Sequence, residues 1–159
     1  MHITFICTGN TCRSPMAEGI ARKIAAEKYP DQDWTFSSAG LAAFNGSPAS
    51  RHSIDVCGER GIDLSAHRSQ RLNPEIAAKT DLFAVMTAGH AQILRQCGIP
   101  AEKIAAPDGE IPDPYGGDEE EYRDCRDEIT RAVEKLLASV AGQPGTEENS
   151  RSTEDDAIE

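Results

Sequence analysis

The chain has 159 residues, 38% of them hydrophobic, and a formal net charge of -11. That length suits one domain with a sizeable core, while the acidity offers no basic face for nucleic acid or an anionic membrane, so neither is expected as a partner. The sequence shows no charged-then-apolar leader and no apolar run of membrane-spanning length, which points to the cytoplasm. Its five cysteines are odd in number and lack disulfide-framework spacing, so free thiols are expected.

The first element is a short apolar strand at residues 3–6, followed by Cys7-Thr8-Gly9-Asn10-Thr11-Cys12-Arg13-Ser14-Pro15. Apolar Met16, Ala17, Ile20, Ala21, Ile24 and Ala25 then recur at helical spacing until Pro30 closes the segment. A second strand is predicted at 34–39, a loop at 40–47, and a helix from Pro48 or Ala49 to Arg60 with Gly61 just past its end. The nearly continuous apolar run at 81–86 reads as a strand covered on both faces, 88–97 as a helix and 103–105 as a weaker strand. Asp118 with Glu121 three residues on marks the start of a last helix over 118–140.

Alternating strands and helices predict an α/β fold: one three-layer domain at 1–141, with a central four-stranded parallel sheet and helices on both faces. From 142 to 159 the chain is polar, with six carboxylates against one arginine, and is expected to be a disordered acidic tail.

The segment after the first strand carries the chemistry. A tight loop opening a helix turns consecutive backbone N–H groups and the positive helix end toward one point, which is an anion site. The same field favours a thiolate at Cys7, and Arg13 closes the loop. Gly9 can take a positive φ or let the backbone approach an oxyanion, and Asn10 also tolerates that left-handed conformation. Ser14 can cap the helix or hydrogen-bond the sulfur, and Pro15 suits the first turn. The plain alternative is a strand-to-helix turn around a structural cysteine.

Cys7 to Glu18 closely resembles the signature of the low-molecular-weight protein phosphatases, and Asp113-Pro114-Tyr115 falls where that family keeps its acid loop. The resemblance covers residues 1–140. It implies that Cys7 attacks phosphorus and forms a phosphocysteine, that Thr8 to Arg13 cradle the phosphoryl oxygens, and that Asp113 serves as general acid and then base. It further implies that Asn10, Ser14, Ser38 and His67 hold the loop in shape, that Phe44 and Tyr115 form aromatic walls, and that no cofactor or metal is needed. Local sequence also favours Asp113, since Pro112 and Pro114 stiffen the backbone around it, whereas Asp108 before Gly109 reads as an ordinary turn.

Cys12 reads either as a redox partner able to capture an oxidised Cys7, its role in the family, or as a small packing residue. Cys57, Cys97 and Cys125 lie in predicted helices and are expected in the core, and His2, His52 and His90 show no ligand spacing.

Thr11 stands where many tyrosine-directed members carry isoleucine and the family's arginine phosphatases carry threonine. A hydroxyl can hydrogen-bond a guanidinium, which an isoleucine cannot. The resemblance thus implies a protein phosphatase favouring phosphoarginine, with phosphotyrosine as the alternative and phosphorylated proteins as partners; the sequence does not fix the oligomeric state, and a monomer is the expectation. Two rivals share the loop. An arsenate reductase would need a downstream cysteine relay, absent from 81–92, and a silent phosphoprotein-binding module would need neither nucleophile nor acid.

Overall fold

The computed structural model describes residues 1–142, so the expected tail falls outside the described residues apart from Gly142. The elements are β1 (His2–Cys7), α1 (Arg13–Lys28), β2 (Thr35–Gly40), α2 (Arg51–Gly58), α3 (Pro74–Lys79), β3 (Leu82–Val85), α4 (Ala88–Gln96), β4 (Ile104–Ala105) and α5 (Glu119–Gly142). All strand pairs are parallel and the order is β2-β1-β3-β4. β1 is flanked on both sides, with Cys7 opposite Gly40 and Ile6 opposite Val85.

Side chains of a strand alternate between the two sheet faces, and β1 shows what each face carries. Ile3, Phe5 and Cys7 join a core with residues of α1, α2 and α5, while Ile6 joins Ala39, Phe83 and Val85 beneath Ala91 and Leu94 of α4. Helices therefore cover both faces, as expected of a doubly covered parallel sheet. No helix among the described residues is long and apolar enough to cross a membrane.

Several boundaries differ from the sequence reading for local reasons. The helix expected from 48 or 49 begins only at Arg51, because Ser50 caps it by accepting the Ser53 N–H at 3.3 Å. It ends at Gly58, two residues short of the expected Arg60, and the closing turn at Gly61 is the one the sequence predicts. Gly61, at φ 74°, donates to Gly58 O and lets Ile62 donate to Cys57 O, both at 3.0 Å, the paired bonds of a Schellman turn. The strand expected at 103–105 shortens to Ile104–Ala105, since Lys103 belongs to a 3-10 turn, Ala101–Lys103. The short α3 was not anticipated; Asn73 caps it through the Ile76 N–H at 2.8 Å and Pro74 fills its first turn.

Asp118 does accept the Glu121 N–H, at 2.9 Å, at the start of α5. Cys57 and Cys125 are buried, but Cys97 is exposed, which corrects its expected place in the core. It ends α4, where Gly98 turns the chain at φ 93°, and so lies beyond the face that packs on the sheet.

Candidate active site

Cys7 is the last residue of the central strand and Arg13 the first of α1, so residues 8–12 must turn the chain at the C-terminal edge of the sheet. Asn10 makes that turn possible. At φ 57° it is the one non-glycine residue in the left-handed region among those described, and Gly9 does not adopt it. Of the two residues the sequence offers for a positive φ, Asn10 takes it, and its short amide tolerates it and also bonds locally.

The Asn10 side chain is fully buried and fully used. Gln70 N–H can only donate, so the atom it meets at 2.9 Å is the Asn10 amide oxygen. The Asn10 amino group then donates to Ser14 Oγ at 2.8 Å and to Ser38 Oγ at 2.9 Å. Because Ser14 Oγ accepts from Asn10, its own proton is free for Cys7 Sγ, 2.9 Å away. A second bond reaches the sulfur from Asn10 N–H at 3.3 Å. Cys7 is therefore an acceptor from two donors, an arrangement that suits a sulfur carrying negative charge.

Support continues outward from this point. Ser38 donates to Glu18 at 2.7 Å, Glu18 pairs with Arg22, and His67 Nε2 lies 2.8 Å from Asn10 O. Since a carbonyl only accepts, that His67 nitrogen carries the proton. Ser14 thus binds sulfur rather than capping α1, whose N-cap residue, Cys12, supplies no side-chain cap. Glu18, Gly40 and Gln70 complete the network. A Cβ on Gly40 would stand 2.5 Å from Thr8 O and 3.0 Å from Asn10 N, so a side chain there would push the loop away.

Arg13 joins the loop to the acid segment. Its side chain is 5% exposed, with Nη1 donating to Ile111 O at 3.0 Å and Nη2 lying 3.6 Å from Asp113 Oδ2. Asp113 reaches this point from between two prolines while its other oxygen accepts the Tyr115 N–H at 3.1 Å. Beneath it, the Cys125 thiol donates to Pro112 O at 3.8 Å; burial pushes that thiol up to about 12, with Arg13 opposing, so Cys125 stays protonated. Asp108 instead pairs with Lys135.

The remaining candidates differ in exposure. Phe44 and Tyr115 are 85% and 79% exposed. Thr11 is half-buried with its hydroxyl 3.8 Å from Cys12 Sγ, and Thr11 O accepts the Ser50 N–H at 2.8 Å. Cys12 is buried with Sγ 3.4 Å from the Tyr122 hydroxyl, which burial first and the Cys12 contact second push up to about 12. Among the described residues no cluster of His, Cys, Asp and Glu is disposed to hold a metal ion.

One neighbour of the loop escaped the sequence reading. His90, in the first turn of α4, is 6% exposed and its Nε2 lies 3.0 Å from Thr8 Oγ1. Burial first and the Arg13 charge second lower its pKa, with Glu110 and Asp113 opposing. The only sequence signal was position: a histidine in the first turn of a helix that starts at the C-terminal edge of the sheet.

A parallel sheet with a sulfur-and-guanidinium loop at this edge defines a class of phosphoryl-handling enzymes. The family model for low molecular weight phosphotyrosine protein phosphatase matches residues 2–145, and the chain belongs to that family. It is 37% identical over 147 residues to a protein-arginine-phosphatase of Geobacillus stearothermophilus, spanning 87% of this chain and 95% of that one. It is also 34% identical over 138 residues to arsenate reductase 1 of Staphylococcus epidermidis, spanning 87% and 96% of the two chains. The YwlE arginine phosphatase, solved as a cysteine-to-serine mutant with a phosphorylated active-site serine, superposes with a TM-score of 0.83 at 32% identity, covering 90% of this chain and 97% of that one. This chain is accordingly a cysteine-dependent protein phosphatase.

Proposed function

We propose that the chain removes the phosphoryl group from arginine side chains of proteins, with Cys7 as nucleophile, Arg13 as phosphoryl clamp and Asp113 as acid and base. The observation that carries this reading is the convergence of a twice-bonded sulfur, a buried guanidinium and a proline-flanked carboxyl on one loop.

The reaction follows from that convergence. The Cys7 thiolate attacks phosphorus in line with the leaving nitrogen, the P–N bond breaks as the S–P bond forms, and Asp113 delivers its proton to the departing guanidine. The amides of Thr8 to Arg13 and the planar Arg13 fork hold the three equatorial oxygens, where charge builds up. Water then attacks the phosphocysteine, gives its proton to the Asp113 carboxylate, and inorganic phosphate leaves with the thiolate restored. Asn10, Ser14, Ser38 and His67 keep the loop in the shape that this needs, and Phe44 and Tyr115 flank the entering side chain.

Thr11 supports arginine as the side chain. Its hydroxyl lies in the loop wall, and a guanidinium offers it donors that a phenyl ring lacks. The protein-arginine-phosphatases among the relatives add to this reading. Phosphotyrosine is the alternative substrate, as the family description indicates. Arsenate reduction is disfavoured by the absence of a cysteine in 81–92.

The test compares matched phosphoarginine and phosphotyrosine peptides in the wild type and in Thr11→Ile. The kcat/KM ratio is expected to favour phosphoarginine and to fall about tenfold in the variant, the cost of one lost hydrogen bond. Equal ratios in the two proteins remove Thr11 from specificity, and phosphotyrosine turnover alone overturns the arginine assignment. Cys7→Ser is expected to abolish turnover of both peptides.

A further inference from the structure

We propose that His90 is a positioning residue of the phosphatase reaction, holding the Thr8 side chain and so aligning the loop's first residue after the nucleophile with the acid segment. This rests on the reading of residues 7–13 as the phosphoryl site.

The two flanks of the loop are held differently. Asn10 anchors the underside through Ser14, Ser38, Gln70 and His67, all buried or half-buried. The Thr8 side chain is exposed, and among the described residues its hydrogen bond is the one to His90 Nε2 at 3.0 Å. His90 comes from α4, whose first turn is itself tied to the acid segment. The Ala88 N–H donates to both Glu110 carboxylate oxygens at 3.2 Å, three residues before Asp113, and Thr87 Oγ1 accepts the His90 N–H at 3.1 Å. Glu110, α4, His90 and Thr8 therefore form a bridge from the acid segment to the loop that does not pass through Arg13.

The ring's own hydrogen bonding selects its protonation. Nδ1 is buried with no partner among the described residues. A proton on Nδ1 would leave a donor unmet in the interior, which costs more than a spare lone pair beside an N–H that is used. The stable form thus carries its proton on Nε2, donates to Thr8 Oγ1 and leaves the Thr8 O–H free to donate into the site. Doubly protonated His90 would place a charged donor with nothing to receive it, facing Arg13 of α1 with Glu110 and Asp113 of the acid segment in partial compensation. Burial holds the His90 pKa below its ordinary value, so the ring is expected to charge only below the usual imidazole range, where an unmet Nδ1–H in the interior disfavours its place in the bridge.

The experiment measures kcat and KM for a simple aryl phosphate across pH 4.5 to 8 in the wild type, His90→Gln, His90→Leu, Thr8→Val and the double variant His90→Leu with Thr8→Val. Glutamine can set an amide N–H where Nε2 stands but does not titrate. It is expected to keep kcat within threefold of wild type while removing one ionisation from the acid limb. Leucine, and valine at Thr8, are each expected to lower kcat about tenfold with KM within twofold, and the double variant to be no worse than either single one.

A His90→Leu kcat within twofold of wild type overturns the proposal, as does His90→Gln no better than His90→Leu, or additive losses in the double variant. If His90→Leu does not fold, Thr8→Val, altered at an exposed position, decides by the same kcat criterion. Wild-type activity abolished by Cys7→Ser shows that the phosphoryl-site reading stands whatever the His90 series gives.

Discussion

Asn10 concentrates more of the site than any other side chain, because backbone and amide are both committed. It supplies the left-handed turn, donates twice, accepts once, and its N–H and C=O serve Cys7 and His67. Asn10→Ala is expected to cost on the order of 3 kcal/mol, since it orphans buried donors and acceptors and strains a positive φ. Thermal unfolding with and without phosphate measures it, and a midpoint within a degree of wild type would contradict it. The tolerance of asparagine for this turn was legible in the sequence, because it depends on one residue and its neighbours. That Ser14 spends its proton on sulfur was left open there, because the answer lies with Gln70, which orients the amide from 60 residues away. His90 offered only its position at a helix start for the same reason, its partner Thr8 being 82 residues distant.

At the level of elements, what local chemistry dictates was readable and what tertiary contact dictates was not. The apolar period of α1, the paired bonds at Gly61 and the cap at Asp118 are local, and the structure carries each of them. The short α3 depends on Asn73 capping before Pro74, a pair that reads equally as a turn. The α2–α5 contact was also hidden. Glu59, just past α2, receives Arg123 and the buried Arg126 of α5, and Arg126 also donates to Val56 O. Hydrogen bonds from Arg123, then Arg126, hold the Glu59 carboxyl down at about 2. The folded pKa lies below the ordinary 4.5, so the pair stabilises the fold fully above that value, and the contribution is lost as pH falls toward 2. Glu59→Gln is expected to lower the unfolding midpoint at pH 7 and to flatten its decline between pH 5 and 2. An acid limb as steep as in wild type would rule this linkage out.

For the whole molecule, the topology explains why the site could be named before its geometry was known. Strand order β2-β1-β3-β4 puts β1 between neighbours reached by different crossovers, so the turn after it opens where flanking loops separate. Around that opening lies an acidic protein: the net charge is -11, yet the loop is built to receive a phosphoryl dianion. Asp113 and the run Asp118 to Glu121 lie on the segment that bears the acid; Asp113 lies beside Arg13, and Glu119 and Glu120 pair with Arg123. A negative field at long range repels free phosphate and favours peptides whose neighbouring residues are cationic, while the loop captures the phosphoryl group only at contact. Phosphopeptides flanked by lysine are therefore expected to show several-fold higher kcat/KM than the same peptides flanked by glutamate at low salt. Because exposed charges are screened beyond about 10 Å at 0.1 M salt, that advantage should shrink toward unity at 0.5 M, mainly through KM. A preference that persists unchanged at high salt would instead assign the selectivity to direct contacts at the rim, with Phe44 and Tyr115 the first side chains to replace.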